Sequence, residues 1–272
     1  MSQLSINELT TYRWSFEEDV DRLAASGIFT IGVWRQKLSD FGEEKGIELL
    51  SDKGLRVSSL SWAGGFTGSD GRSFKESVSD ALDAVRLAAA MRAASLIVYS
   101  GARGGHTSNH ARRLLKTALA EVLPVAAECG VTLAVEPMHA GCASDCTFLT
   151  SLKEAVELAE EVASPRLKIA FDSYHVGFEP GLLASLPAIV PHIGLVQLGD
   201  AKQPPLGEQN RCRLGDGIIP VASIVETLVD CGYCGFFEVE LIGEDVESSD
   251  YFELLTHSKR AFESWHAAPH VG

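Results

Sequence analysis

Three acids and one amide sit at equivalent places in four successive apolar runs. Glu136 closes TLAVE, Asp172 closes KIAFD, Gln197 closes IGLVQ and Glu240 closes FFEVE. The residues one and three places before each polar group are mainly apolar: Val135 and Leu133, Phe171 and Ile169, Val239 and Phe237, with Gly194 the exception. Side chains of an extended chain alternate between two faces, so each polar terminal residue points away from the apolar face. One such acid reads as a solvated strand end; four in consecutive runs read as a constellation. Three buried carboxylates would repel one another and lose hydration, which raises their pKa values strongly unless a cation joins them. One divalent ion held by Glu136, Asp172, Gln197 and Glu240 removes that cost. Oxygen ligands favour Mn, Mg or Co over a thiolate-type zinc site, while the geometry still admits Zn.

Such an ion, chelated by two neighbouring oxygens of a hydroxyketone, acidifies the C–H between them and stabilises the enediolate that follows. Proton transfer needs a base, and epimerisation needs an acid on the opposite face. Glu136 and Glu240 can flank a bound substrate and serve as both ligands and proton carriers. His139, three residues beyond Glu136, is a second base candidate, because a neutral imidazole is more basic than a metal-bound carboxylate. With His139 as base the chemistry becomes β-elimination from a keto-sugar or oxidised glycoside.

The elements that must position these groups alternate along the chain. Short β-branched runs near Thr11–Trp14, Ile28–Val33, Val57–Ser61, Leu96–Ser100, Thr132–Glu136, Lys168–Asp172, Ile193–Leu198 and Phe236–Glu240 predict strands. Between and after them lie helical segments: Phe16–Ala25, Lys37–Lys53, Phe74–Ala93, Ala111–Cys129, Leu152–Val162, Leu182–Ile189, Val221–Cys231 and Asp250–Trp265. Ser15 with Glu18, and Ser151 with Glu154, have capping-box spacing. Gly27, Gly54, Gly130 and Gly232 each end a helix ahead of a strand, where a left-handed residue is wanted. Strict βα alternation predicts parallel strands and right-handed crossovers, and eight repeats favour a closed TIM barrel. No linker divides residues 1–272, so a single (β/α)8 domain is expected, with the four polar residues at its C-terminal rim.

At 272 residues, 46% hydrophobic and 22% charged, the chain has the composition of a globular protein with a sizeable core. A formal charge of -14 opposes a nucleic-acid partner and suits a cation site. The first residues lack the basic-then-apolar pattern of a signal peptide, and no run is long enough to cross a membrane, so a cytoplasmic location is expected. The six cysteines read as reduced thiols. Cys231 and Cys234 form an isolated CxxC with no partner pair. Lys168 and Glu238 point inward by parity and would make a buried ion pair.

The segments AVEPMH, FDSYH, VQLGD and FFEVEL resemble the xylose-isomerase-like family of TIM-barrel sugar isomerases and epimerases over essentially the full length. That family holds a metal at the ends of strands five to eight, usually through Glu, Asp, His and Glu. The resemblance implies Glu136, Asp172 and Glu240 as ligands, with Gln197 where many members have His and hydroxypyruvate-isomerase-like members have Gln. RCRLGDG resembles the family's Arg-containing loop and implies Arg211 as a substrate-oxygen contact, with Arg213 competing. The Asp172–His175 spacing also recurs there, and His175 is read as a partner of a ligand near the substrate. EPMH followed by Asp145 resembles lyase relatives, so elimination stays open, as does a barrel that only binds sugar. His106 and Arg103 after strand four, and Trp34, Trp62 and Phe66 after strands two and three, lie on the correct rim to touch a sugar-like small molecule. Family members are often dimers or tetramers, which allows a homo-oligomer without selecting its size.

Overall fold

The computed structural model describes residues 3–143 and 145–266. Eight strands close in chain order: β1 Gln3–Asn7, β2 Thr30–Trp34, β3 Arg56–Gly64, β4 Ser95–Tyr99, β5 Thr132–Val135, β6 Leu167–Asp172, β7 Ile193–Leu198 and β8 Phe236–Val239. Every pairing is parallel, and β1 joins β8 through Leu4 opposite Phe237. The outward residues of the strands, among them Ile31, Leu133, Ile169, Phe171 and Phe237, are fully buried against the helices. The fold is the single TIM barrel expected from the alternation.

The first strand differs from expectation. Thr11–Trp14 lies in turns, and β1 is the earlier QLSIN. Its apolar residues Leu4 and Ile6 pack toward the main core, while Ser5 and Asn7 turn into the barrel and bond Ser58 and Glu238. A five-residue strand with only two apolar residues, whose polar Ser5 and Asn7 are buried as well, carries little hydrophobic signal beside the more aromatic TYRW. The expected helix Lys37–Lys53 is two helices, Arg35–Phe41 and Glu43–Asp52. Gly42, at φ 107°, breaks it in a backbone conformation that a side-chain-bearing residue rarely takes.

Capping behaves as read. Ser15 accepts from Glu18 N–H, and Glu18 reaches back to Ser15 N–H. Ser151 likewise accepts from Glu154 N–H, but the Glu154 carboxylate reaches Thr150 N–H, one residue farther back. Gly27, Gly54, Gly130 and Gly232 all have positive φ.

The barrel interior is layered. Ile97, Leu195 and Phe236 form an apolar floor, with Tyr99 against it. Above it stand Ser5, Asn7, Ser58, Ser59 and Glu238, all buried and mutually hydrogen bonded. The expected Lys168–Glu238 ion pair does not form. Lys168 sits near the foot of β6, where its Nζ reaches out to Pro191 O at 2.7 Å, while Glu238 is held by neutral donors. His192 precedes β7 at the opposite end from the carboxylates. All six cysteines are free.

Among the described residues, no helix is long and apolar enough to cross a membrane. A buried ion pair between Lys37 Nζ and Asp19 (2.5 Å), with Glu8 beside it, ties the first helix to the rim of β1 and β2. Burial drives the Glu8 carboxyl well above its usual range and lifts Asp19 to about 6.

Candidate metal and active site

Strands β5 to β8 deliver their polar end groups to one rim. Glu136 and Glu240 each follow the last residue of their strand; Asp172 ends β6, and Gln197 is the penultimate residue of β7. Asp172 lies opposite Gln197, and Gln197 opposite Glu238, so these three stand at one level across neighbouring strands. Glu240 is two residues farther up the same face of β8. All four expected ligands are buried, none more than 5% exposed.

The electrostatics ask for a cation. Desolvation pushes the Glu136 carboxyl well above its usual range, and the charges of Glu240 and Asp172 push it further. Burial lifts Glu240 to about 8 against the pull of Arg211, and raises Asp172 as well. Two oxygens among these groups, Glu136 Oε2 and Gln197 Oε1, are buried without a hydrogen-bond donor. Buried acceptors with nothing to accept from are costly, and hard oxygen donors of this kind suit a divalent ion. The residues therefore fit a metal. A ligand atom of Glu136, of Asp172 and of His175 lie within 4.8 Å of one another.

His175 Nε2 is buried without a hydrogen-bond partner. The N–H of His139 points at Nδ1 of the same ring (3.4 Å), which puts the proton of the neutral ring on Nε2. That Nε2 faces Glu136 Oε1 at 3.6 Å and Asp172 Oδ2 at 3.8 Å. Burial, helped by Arg211, drives the His175 pKa well below the usual value, so the ring is neutral near pH 7.

Of the two candidate arginines, the structure brings Arg211 into the site and leaves Arg213 outside. Arg211 is fully buried; its Nη2 lies 2.8 Å from Asp172 Oδ2 and 3.2 Å from Glu240 Oε1. Its Nη1 donates to Glu240 O (2.9 Å), Nη2 and Nε reach Gln209 Oε1, and the guanidinium lies 4.5 Å over the Tyr174 ring. Arg213 instead stands 3.9 Å from Glu253 near the surface. The loop carrying Arg211 is anchored by Asp200, whose buried carboxylate accepts from the N–H groups of Ala201, Gly215, Gly217 and Ile219. That is why RCRLGDG follows VQLGD: the acid two residues past the strand end organises the turn that returns the arginine to the rim.

The other expected contacts are spread more widely. His139 Nδ1 accepts from Gly141 N–H (3.0 Å), and its ring meets Phe178 edge-on, 6.2 Å between centroids. Asp145 is exposed. His106 packs on His110 and bonds Thr67 O (3.1 Å), and Arg103 lines a neighbouring cavity of about 430 Å³. Among the contacts of the described residues, neither bonds a rim carboxylate. Phe66 is core, whereas Trp34 lies half-buried near Tyr12.

Trp62 is 39% exposed and lies against Tyr99, 5.0 Å between ring centroids. Tyr99 was not singled out from the sequence. Burial and the charges of Glu136 and Glu240 hold its phenol well above the usual pKa, so it is within their electrostatic reach. Strand parity carried the signal, since Ile97 and Tyr99 of SLIVY share the inward face.

A closed eight-stranded barrel with an oxygen-donor cluster at its C-terminal rim puts the candidate site where barrel enzymes carry theirs. The chain belongs to the xylose isomerase-like TIM barrel family, whose model matches residues 20–262. It is 28% identical over 141 residues to L-ribulose-5-phosphate 3-epimerase UlaE of Escherichia coli O157:H7, covering 52% of this chain and 46% of that one. It is 30% identical over 118 residues to D-psicose 3-epimerase of Enterocloster bolteae, covering 43% and 36%. The matched region spans less than half the length of these curated relatives. Among solved structures, protein SMc04130 from Sinorhizobium meliloti 1021 superposes with a TM-score of 0.88 at 27% identity, covering 96% of this chain and 97% of that one. The IolI protein with a bound zinc atom superposes with a TM-score of 0.84 at 17% identity, covering 97% and 98%, a likeness of fold.

Proposed function

We propose that this chain is a divalent-metal-dependent isomerase or epimerase that shifts a proton beside the carbonyl of a sugar or related α-hydroxy-carbonyl compound through an enediolate. The observation that carries it is the convergence of Glu136, Asp172, Gln197 and Glu240 on one rim, with Glu136 Oε2 and Gln197 Oε1 left without donors. The 3-epimerase names of the sequence relatives point to the same proton transfer.

Glu136, Asp172, Gln197 and Glu240 would hold the ion, which supplies the polarisation that acidifies the substrate C–H. Glu136 and Glu240, on strands five and eight, take and return the proton from the two sides. Arg211, pinned by Gln209 and stacked on Tyr174, offers a fixed positive charge for a substrate oxygen. His175, whose Nε2 stands 3.6 Å from Glu136 and 3.8 Å from Asp172, would be a partner of these ligands near the substrate. Trp62 with Tyr99 walls the pocket against the apolar face of the substrate. His106 on its neighbouring loop is a second, outer contact, and His139 is the second candidate base, the one that β-elimination would use.

The test is a screen of keto-sugars and their phosphates with the Mn-loaded protein in deuterated water. Label entering next to the carbonyl, with a product of equal mass, is the expected result. Release of water or an aglycone would replace isomerisation with β-elimination, and no turnover or exchange across the panel would support a binding protein.

A further inference from the structure

We propose that Glu238 is the positioning residue that turns Gln197 into a metal ligand. This rests on the metal reading of the rim and concerns a residue below it. An amide side chain presents oxygen or nitrogen depending on its rotation, so a Gln ligand must be held one way round. Gln197 Nε2 donates to two carboxylates on β8: Glu240 Oε2, and Glu238 Oε1 at 3.2 Å. Glu238 already accepts from Asn7, Ser58 and Ser59, so the amide turns its nitrogen to this pair, and Oε1 is left free on the other side, buried and without a donor.

Glu238 is built for this task and not for ligation. Its Oε1 also accepts from Asn7 Nδ2 (2.7 Å), and its Oε2 accepts from Ser58 Oγ (2.5 Å) and Ser59 Oγ (2.7 Å). Four donors saturate both oxygens, leaving none for a cation. Two further features keep the carboxylate there. The β2–β3 register skips Ser58, a bulge from which adjacent Ser58 and Ser59 both reach the same oxygen. Gly32 on β2 leaves the space, for a Cβ there would lie 2.4 Å from Glu238 Oε2. Asn7, Gly32, Ser58 and Ser59, from three different strands, thus clamp one carboxylate, and that carboxylate clamps the amide beside it.

The experiment is a cycle of Mn affinities by titration calorimetry on the full chain: wild type, Glu238→Gln, Gln197→Ala and the double variant. Glu238→Gln leaves one acceptor oxygen where two now serve four donors. It is expected to weaken Mn binding about 10- to 100-fold, the range for lost support of a ligand. With Gln197 already Ala, the same change is expected to cost several-fold less. Equal losses in both backgrounds would mean that Glu238 acts only through its charge, and no loss would mean that Gln197 needs no support; either overturns the proposal while the metal reading stands. A wild type that binds no Mn defeats both readings. If Glu238→Gln fails to fold, Gly32→Ala presses on the same carboxylate from β2 and is read in the same cycle.

Discussion

Replacing Glu240 by Gln is expected to lower turnover, and exchange of the substrate's carbonyl-adjacent proton with solvent, by roughly 1000-fold or more at saturating metal. The amide keeps an oxygen for the cation and nearly the same volume, but it cannot accept a proton at the reacting carbon. Its carboxylate is well suited to that work. With the cation keeping it ionised it can accept the proton, and Arg211, 3.2 Å from Oε1, holds it in place. Glu136→Gln is the mirror experiment, with exchange lost from the other face. Deuterium uptake followed by proton NMR separates proton transfer from product release. Exchange in Glu240→Gln within about tenfold of wild type would remove Glu240 from proton transfer.

The second large effect is on stability, and it depends on pH and metal together. Burial raises Glu136, Asp172 and Glu240 above their unfolded values, with Glu240 at about 8; Glu8 is raised well and Asp19 to about 6. A raised acid favours the folded state below the unfolded pKa, near 4, and that contribution is lost as pH climbs through the folded value. The metal-free protein should therefore melt at progressively lower temperature from about pH 5 to about pH 8.5. A bound cation keeps the three rim carboxylates ionised, so their part of the decline disappears while that of Glu8 and Asp19 remains. The rise in Tm caused by Mn should accordingly grow across the same window. Scanning calorimetry with and without chelator reads both curves. A metal-free Tm that stays flat or climbs over this range would show that the rim acids are ionised without help.

How much of this was legible in the sequence follows from the kind of signal each part carries. The barrel was legible because seven of its strands fall in short runs that alternate with helical segments, punctuated by glycines such as Gly27 and Gly130 that take left-handed backbone. The rim groups were legible because parity alone turns Glu136, Asp172 and Glu240 inward. β1 was not, because it has only two apolar residues and buries the polar Ser5 and Asn7 beside Ile6. Glu238 was placed inside correctly but given the wrong partner. Parity tells which face a residue occupies, and not its depth along the barrel axis. Lys168 lies at the foot of β6, whereas the partners that Glu238 finds come from β1 and from a bulge in β3 that shifts the register. Choosing Arg211 over Arg213 needed the Asp200-anchored turn, a contact between residues up to 19 apart that no periodicity encodes.

The metal is the centre of the functional reading, and its stoichiometry is the most direct measurement. Wild-type protein stripped with chelator, dialysed at neutral pH and titrated with Mn is expected to bind one ion per chain. That ion should be lost or greatly weakened in Asp172→Asn, and its uptake should release protons from the raised carboxylates. A folded, stripped protein that binds no divalent ion at neutral pH, or binds it equally well with Asp172→Asn, would contradict the assignment of this rim as a metal centre.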